Sequence, residues 1–143
     1  MAWTVSKIFS AYVTDVLNNT TAMDLMDDAL IEAALFDTTI TPDQIVTSAN
    51  SAYGAGVWAA NGITDTGSSA PAGWPSLGRP LASRTISDNT ATTIVFDAAD
   101  TVSANDVTTL AATSGCLLYD ETIATPVANQ GISFHYFGGS QTV

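Results

Sequence analysis

Residues 78–100, GRPLASRTISDNTATTIVFDAAD, constrain the chain most, because they read as a β-hairpin. Thr92, Thr93, Ile94, Val95 and Phe96 follow one another without a break, and all are types that pack well on a pleated surface. Successive strand side chains point to opposite faces, so Thr92, Ile94 and Phe96 share one face and Thr93, Val95 and Asp97 the other. Asp88-Asn89-Thr90 supplies the turn, since Asp and Asn bond their own backbone and tolerate turn conformations. The expected hairpin rises over residues 79–87 and returns over 91–97, with the rest of the chain organised around it.

More sheet is expected after it. Residues 107–112 and 114–120 fit two strands or one bulged strand, with Gly115 the irregularity. Residues 121–129, which include Pro126, form a loop. In residues 130–137, Ile132, Phe134 and Tyr136 alternate with Ser133, His135 and Phe137, the pattern of a half-buried strand. Gly138-Gly139 ends that strand, and residues 140–143 leave room to begin another.

The first third has a different period. In residues 4–18, Val5, Ile8, Phe9, Tyr12, Val13, Val16 and Leu17 recur at spacings of three and four, which predicts one face of a helix from Thr4 to Asn18-Asn19. A lone helix has no core, so this stripe must be buried on the sheet or on a partner. Thr21 and Asp24 resemble a capping box, and Asp24, Asp27 and Asp28 would favour a helix start. Residues 29–36, ALIEAALF, are helical by propensity and strand-like in length, and both options stand. Thr41-Pro42-Asp43-Gln44 begins a turn or short helix. Residues 48–80 read as a long Gly/Ala/Ser/Pro-rich loop fixed by Pro71, Pro75 and Pro80 and pinned by Tyr53, Trp58 and Trp74. Loops of such length are usually functional or held by a partner.

The expected fold is therefore mainly β: a sandwich or small barrel of about six to eight strands, with one or two helices in the N-terminal third. Residues 1–20 form an amphipathic helix or docking arm, and residues 21–143 the β-rich domain.

Charge narrows the partners. Fourteen acids oppose three cations, Lys7, Arg79 and Arg84, for a net charge of −11. Phosphate binding needs clustered Lys and Arg, so neither nucleic acid nor an anionic membrane surface is an expected partner. No apolar run approaches the roughly 20 residues of a membrane span, and the opening MAWTVSKIFS lacks the pattern of a signal peptide. A hydrophobic content of 46% supports a genuine core.

Little in the sequence marks chemistry. Cys116 is the lone cysteine and sits in the apolar run Cys116-Leu117-Leu118-Tyr119, which reads as a buried structural thiol. His135 is the lone histidine, and a Cys116–His135 dyad is the sharp alternative to two plain strand residues. Asp97, Asp100 and Asp106 surround one turn, and Asp24, Asp27 and Asp28 another, yet neither group has the spacing of a calcium loop. No phosphate-binding glycine loop, HExxH or CxxC motif is present. The expectation is no enzyme, with no catalytic, cofactor-binding or metal-ligating residue and no cofactor. Trp58 and Trp74 as a glycan-binding platform is a further alternative.

The order of features resembles a family of small virion structural proteins of tailed phages, especially those of actinobacteria. The matching segments are KIFSAYVTDVLN, ALIEAALFDTTITPDQ, a Trp/Gly stretch, Gly-Arg-Pro-Leu at 78–81, Phe-Asp-Ala-Ala-Asp at 96–100, an apolar run ending Tyr119-Asp120, and a last strand ending Phe-Gly-Gly at 137–139. Val102-Ser103-Ala104 stands where such proteins often carry a Trp-containing segment. The resemblance implies a decoration, or minor capsid, protein on the capsid exterior, assembled in the host cytoplasm and bridging subunits of the major capsid protein. Self-association, a trimer among the options, is implied with it. A tail or head–tail connector component is the alternative, and a host-surface glycan-binding module a further one. The expected docking residues are Ile8, Phe9, Tyr12, Val13, Val16, Trp58 and Trp74.

Overall fold

Residues 31–36 settle as a strand, the option their length allowed and their propensity opposed. The computed structural model describes residues 3–20, 24–26, 31–64, 74–88, 93–102, 110 and 112–141. In chain order its elements are β1 (Lys7–Ile8), α1 (Ser10–Leu17), β2 (Ile31–Phe36), α2 (Ser48–Ser51), a 3₁₀ turn (Gly56–Ala59), β3 (Gly62–Ile63), β4 (Arg79–Pro80), β5 (Thr85–Asp88), β6 (Ile94–Asp97), β7 (Thr113–Asp120) and β8 (Gly131–Gln141). The main sheet is antiparallel in the order β1-β8-β7-β2-β3, and β4 pairs with the same edge of β2 as β3. Its edges do not meet, so the protein is mainly β and sandwich-like rather than a barrel.

Register explains why β2 is buried throughout and apolar at every position but Glu32. Ala34 pairs with Leu117, which pairs with Phe134; Leu35 pairs with Cys116, which pairs with His135. Paired residues share a face, so alternate positions feed two separate cores. On the first face Ala34, Phe36, Leu117, Tyr119 and Phe134 pack with Trp3, Phe9, Ile40 and Trp58. On the second, Ile31, Ala33, Leu35 and Ile132 pack with Trp74, Leu81 and Leu110. A sheet covered on both sides needs no polar stripe, hence the run IEAALF.

Two irregularities shape β7 and β8. Between Leu118 and Tyr119 the partner on β8 jumps from Ser133 to Gly131, so Ile132 is an extra residue. It therefore joins the second core, whereas Phe134 joins the first; the expected common face of Ile132, Phe134 and Tyr136 is corrected by this bulge. The other irregularity lies beside Gly115, as the sequence suggested. A Cβ there would lie 2.3 Å from the His135 carbonyl oxygen and 2.5 Å from the Trp3 ring. Glycine is what lets the indole lie against the sheet.

The hairpin is present but is not the centre. Thr85 pairs with Asp97 and Asp88 with Ile94 in a separate two-stranded sheet. The expected long first strand is broken: Arg79–Pro80 joins β2, Ser83 turns at φ 51°, and Arg84 Nη1 donates to the Leu81 carbonyl at 2.6 Å. Proline has no N–H for a ladder, so β4 can only be a short edge strand.

The expected helix over 4–18 is also shortened. Lys7 and Ile8 pair with Phe134 and Ser133, and the Phe9 N–H donates to the Ile132 carbonyl, so α1 starts only at Ser10. With Trp3 and Phe9 buried in the first core, residues 3–20 belong to the β domain rather than to a separate arm. The described part of residues 48–80 carries α2, the 3₁₀ turn and two short strands besides irregular chain. The expectations at Thr21, Asp27, Asp28, Pro71, Asn89, Thr90, Asp106 and most of 107–112 lie outside the described residues.

Gly115→Ala should destabilise the fold by about 1–3 kcal/mol, the usual cost of overpacking, with the loss read as a lower urea midpoint. An unchanged midpoint would mean the Trp3 ring is not held against Gly115.

Candidate functional site

Helix α1 shows how the surface is set. Its inward side is not the apolar stripe: Ala11, Tyr12 and Asp15 are half-buried, whereas Val13, Val16 and Leu17 are exposed, Leu17 at 80%. Asp15 decides this rotation. Its Oδ2 accepts from Ser48 Oγ at 2.6 Å and from Gln130 Nε2 at 2.7 Å, fixing the helix to α2 and to the start of β8. Hydrogen bonds to a charged group contribute roughly 1.5–3 kcal/mol each, enough to outweigh burial of one more valine. The Ser10 N–H also donates to the Gln44 carbonyl, which places the exposed Ile45 near the start of α1.

Of the expected docking residues, Ile8, Val13 and Val16 reach the surface, and Tyr12 is half-buried. Phe9, Trp58 and Trp74 do not, being buried in the two cores. The assignment of Phe9 and Trp58 to docking is corrected, because both rings are already engaged within the first core. Trp58 stacks edge-on with Trp3 at 5.7 Å and with Phe36 at 5.0 Å, and Phe9 meets Phe134 at 5.3 Å. Neither Trp58 nor Trp74 is presented as a flat platform for a sugar.

The thiol and the imidazole do become neighbours, since Cys116 and His135 pair across β7 and β8. Burial pushes the Cys116 thiol up to about 12 and lowers the His135 imidazole from its ordinary value. A nucleophilic cysteine needs the thiolate; this one is held protonated at neutral pH. His135 Nε2 instead lies 2.9 Å from Ser133 Oγ. The acidic turns have local work as well: Asp97 Oδ1 accepts from the Ala98 N–H and Asp24 Oδ1 from the Met26 N–H. Among the described residues, no three His, Cys, Asp or Glu side chains are grouped to hold a metal.

Glu32 is the unforeseen feature. It lies buried on β2, paired with Tyr119 on one side and Pro80 on the other. Its Oε2 has no hydrogen-bond partner among the described residues. Tyr53 stacks on Tyr119 at 4.7 Å, and both hydroxyls are spent on carbonyls, of Ser76 and Leu77 respectively. Desolvation, and then the Glu121 carboxylate, push Glu32 up to about 7. The signal for this site was the single charge in an apolar run, legible only if the run is a strand covered on both faces.

Comparison with known proteins finds no matching sequence family, curated protein or solved structure. No helix among the described residues is long and apolar enough to cross a membrane.

Glu32 gives a pH dependence of definite sign. Its folded-state pKa of about 7 lies above the ordinary 4.5, so the folded state holds the proton more tightly. Stability should therefore be highest at and below about pH 4.5 for this group and fall as pH rises through about 7. Glu32→Gln should raise the melting midpoint at pH 8 and leave it nearly unchanged at pH 4. An equal shift at both pH values would remove Glu32 as the titrating group.

Proposed function

We propose that the protein is a virion structural protein of a tailed phage, a decoration protein that binds the outer capsid surface and bridges major capsid subunits. The observation that carries this reading is the outward apolar stripe of α1. Val13, Val16 and Leu17 are exposed on a helix locked in place by its opposite side, so rotation cannot hide them. A fixed apolar helix face is the kind of surface that another protein covers. The charge of −11 favours protein surfaces over genome or lipid. The resemblance in segment order to small phage virion proteins supplies the setting. Bridging would be mechanical, each added contact opposing the pressure of packaged genome, and copies would associate with one another around a capsomer axis.

Removing residues 1–18 would take Trp3 and Phe9 out of the core, so point changes on α1 make the cleaner test. Val13→Glu with Leu17→Glu should leave the melting midpoint within a few degrees, because both positions are exposed. The same pair should cut occupancy on particles at least tenfold, read by cryo-electron microscopy of heads assembled with the neighbouring virion genes. Normal occupancy would reject α1 as the docking face. Wild-type density confined to one vertex would reject decoration in favour of a connector or tail role.

A further inference from the structure

A second surface lies across the sheet from the first core. Three hollows line up along it between the main sheet and the chain that leads out of β6. One of about 360 Å³ is bounded by Ile8, Tyr12, Leu25, Ile94, Phe96 and Ile132. The next, about 520 Å³, shares Leu81, Ala98, Leu118 and His135 with it. The last, about 310 Å³, shares Leu35, Trp74, Thr101 and Phe137 with the second. Shared walls make the three one groove. It follows β8 from Ile132 to Phe137, five steps at about 3.4 Å each or roughly 17 Å.

Length, lining and charge together identify the occupant. A trough of that length matches five or six residues of extended chain. Its walls are largely apolar, and four of its large apolar residues, Ile8, Ile94, Val102 and Phe137, are exposed; Ile94 is 78% exposed. Its charged lining residues are Asp97 and Asp100, with no Lys or Arg among the described lining. At the far end the Trp74 indole N–H and the Thr113 hydroxyl are buried without a partner among the described residues. A main-chain carbonyl is the acceptor that a buried indole N–H lacks.

We infer that this groove receives an extended segment of a different protein, one that alternates apolar side chains with lysine or arginine. A second copy of this chain is the poorer occupant. Each copy carries −11, Arg84 is buried, Arg79 is half-buried, and Lys7 alone of its three cations is exposed. The inference deepens the proposed function by naming the chemistry of the partner, and rests on it for the partner's setting only.

The test uses the whole protein and a fluorescein-labelled twelve-residue peptide alternating valine or leucine with lysine and threonine. Fluorescence anisotropy should show saturable binding that weakens at least tenfold in Ile94→Lys and in Ile8→Lys, and several-fold in Asp97→Asn. The same peptide with glutamate for lysine, or serine for its apolar residues, should bind at least tenfold more weakly. Melting midpoints check that the variants are folded, which the exposure of Ile94 and Ile8 favours. Absence of binding, or equal binding by wild type and the lysine variants, would overturn the groove. So would equal binding of the glutamate peptide. Particle occupancy is read separately: decorated particles without peptide binding would sink the groove alone, and peptide binding without decorated particles would sink the decoration reading alone.

Discussion

The central constraint is that β2, β7 and the first part of β8 are covered on both faces. Alternate residues of each strand enter different cores, so neither core can be removed without exposing half of every strand. Three long neighbouring strands make a narrow sheet, and the connecting chain must do the covering. Trp3, Phe9 and Ile40 come from chain between the elements and Trp58 from the 3₁₀ turn, and they roof the first face. Gly115 is the other half of that arrangement, since the Trp3 ring occupies the space a Cβ would fill.

The two faces are covered unequally. On the first, Trp3, Phe9, Phe36, Trp58 and Phe134 form a connected set of edge-on contacts. Aromatic pairs of this kind contribute about 0.5–1.5 kcal/mol each beyond burial, so this side is stiff and closed. On the second, Trp74, Leu81, Leu110 and Phe96 cover the sheet more sparsely, and the groove lies between them. The hairpin contributes to this looseness. Ile94 and Phe96 both line the groove, yet Phe96 is half-buried while Ile94 stands mostly exposed. A fold that invests its aromatics on one face leaves the other available to a partner.

Much of the fold was legible because strand alternation depends on neighbours two positions away. That was enough to read β6, most of β7, the irregularity at Gly115 and the start of β8 from local pattern. The helix–strand ambiguity at residues 29–36 was not resolvable, since a strand buried on both faces loses the alternation that would mark it. Phe9 misled the helix boundary: its spacing fits the α1 stripe, but its backbone is tied to Ile132, far along the chain. Asp15 gave no signal in the sequence. A carboxylate reads as an outward residue, and here Ser48 and Gln130 draw it inward and turn the apolar stripe out. The tryptophans were recognised as pins but also offered as docking residues; burial in the cores accounts for the first role and removes the second for Trp58, while Trp74 also lines the groove.

Charge and exposed apolar surface belong together in this protein. Val13, Val16, Leu17 and Ile45 on one side, and Ile8, Ile94, Val102 and Phe137 around the groove, would make an uncharged chain adhesive. A net charge of −11 on 143 residues opposes that, because every encounter between copies meets like-charge repulsion over about a Debye length, 8 Å at physiological salt. The repulsion is non-specific, whereas the apolar contacts act only at short range and in register. A partner with positive charge beside its own apolar residues cancels the first and gains the second. The same composition that keeps free copies apart therefore selects what they dock onto.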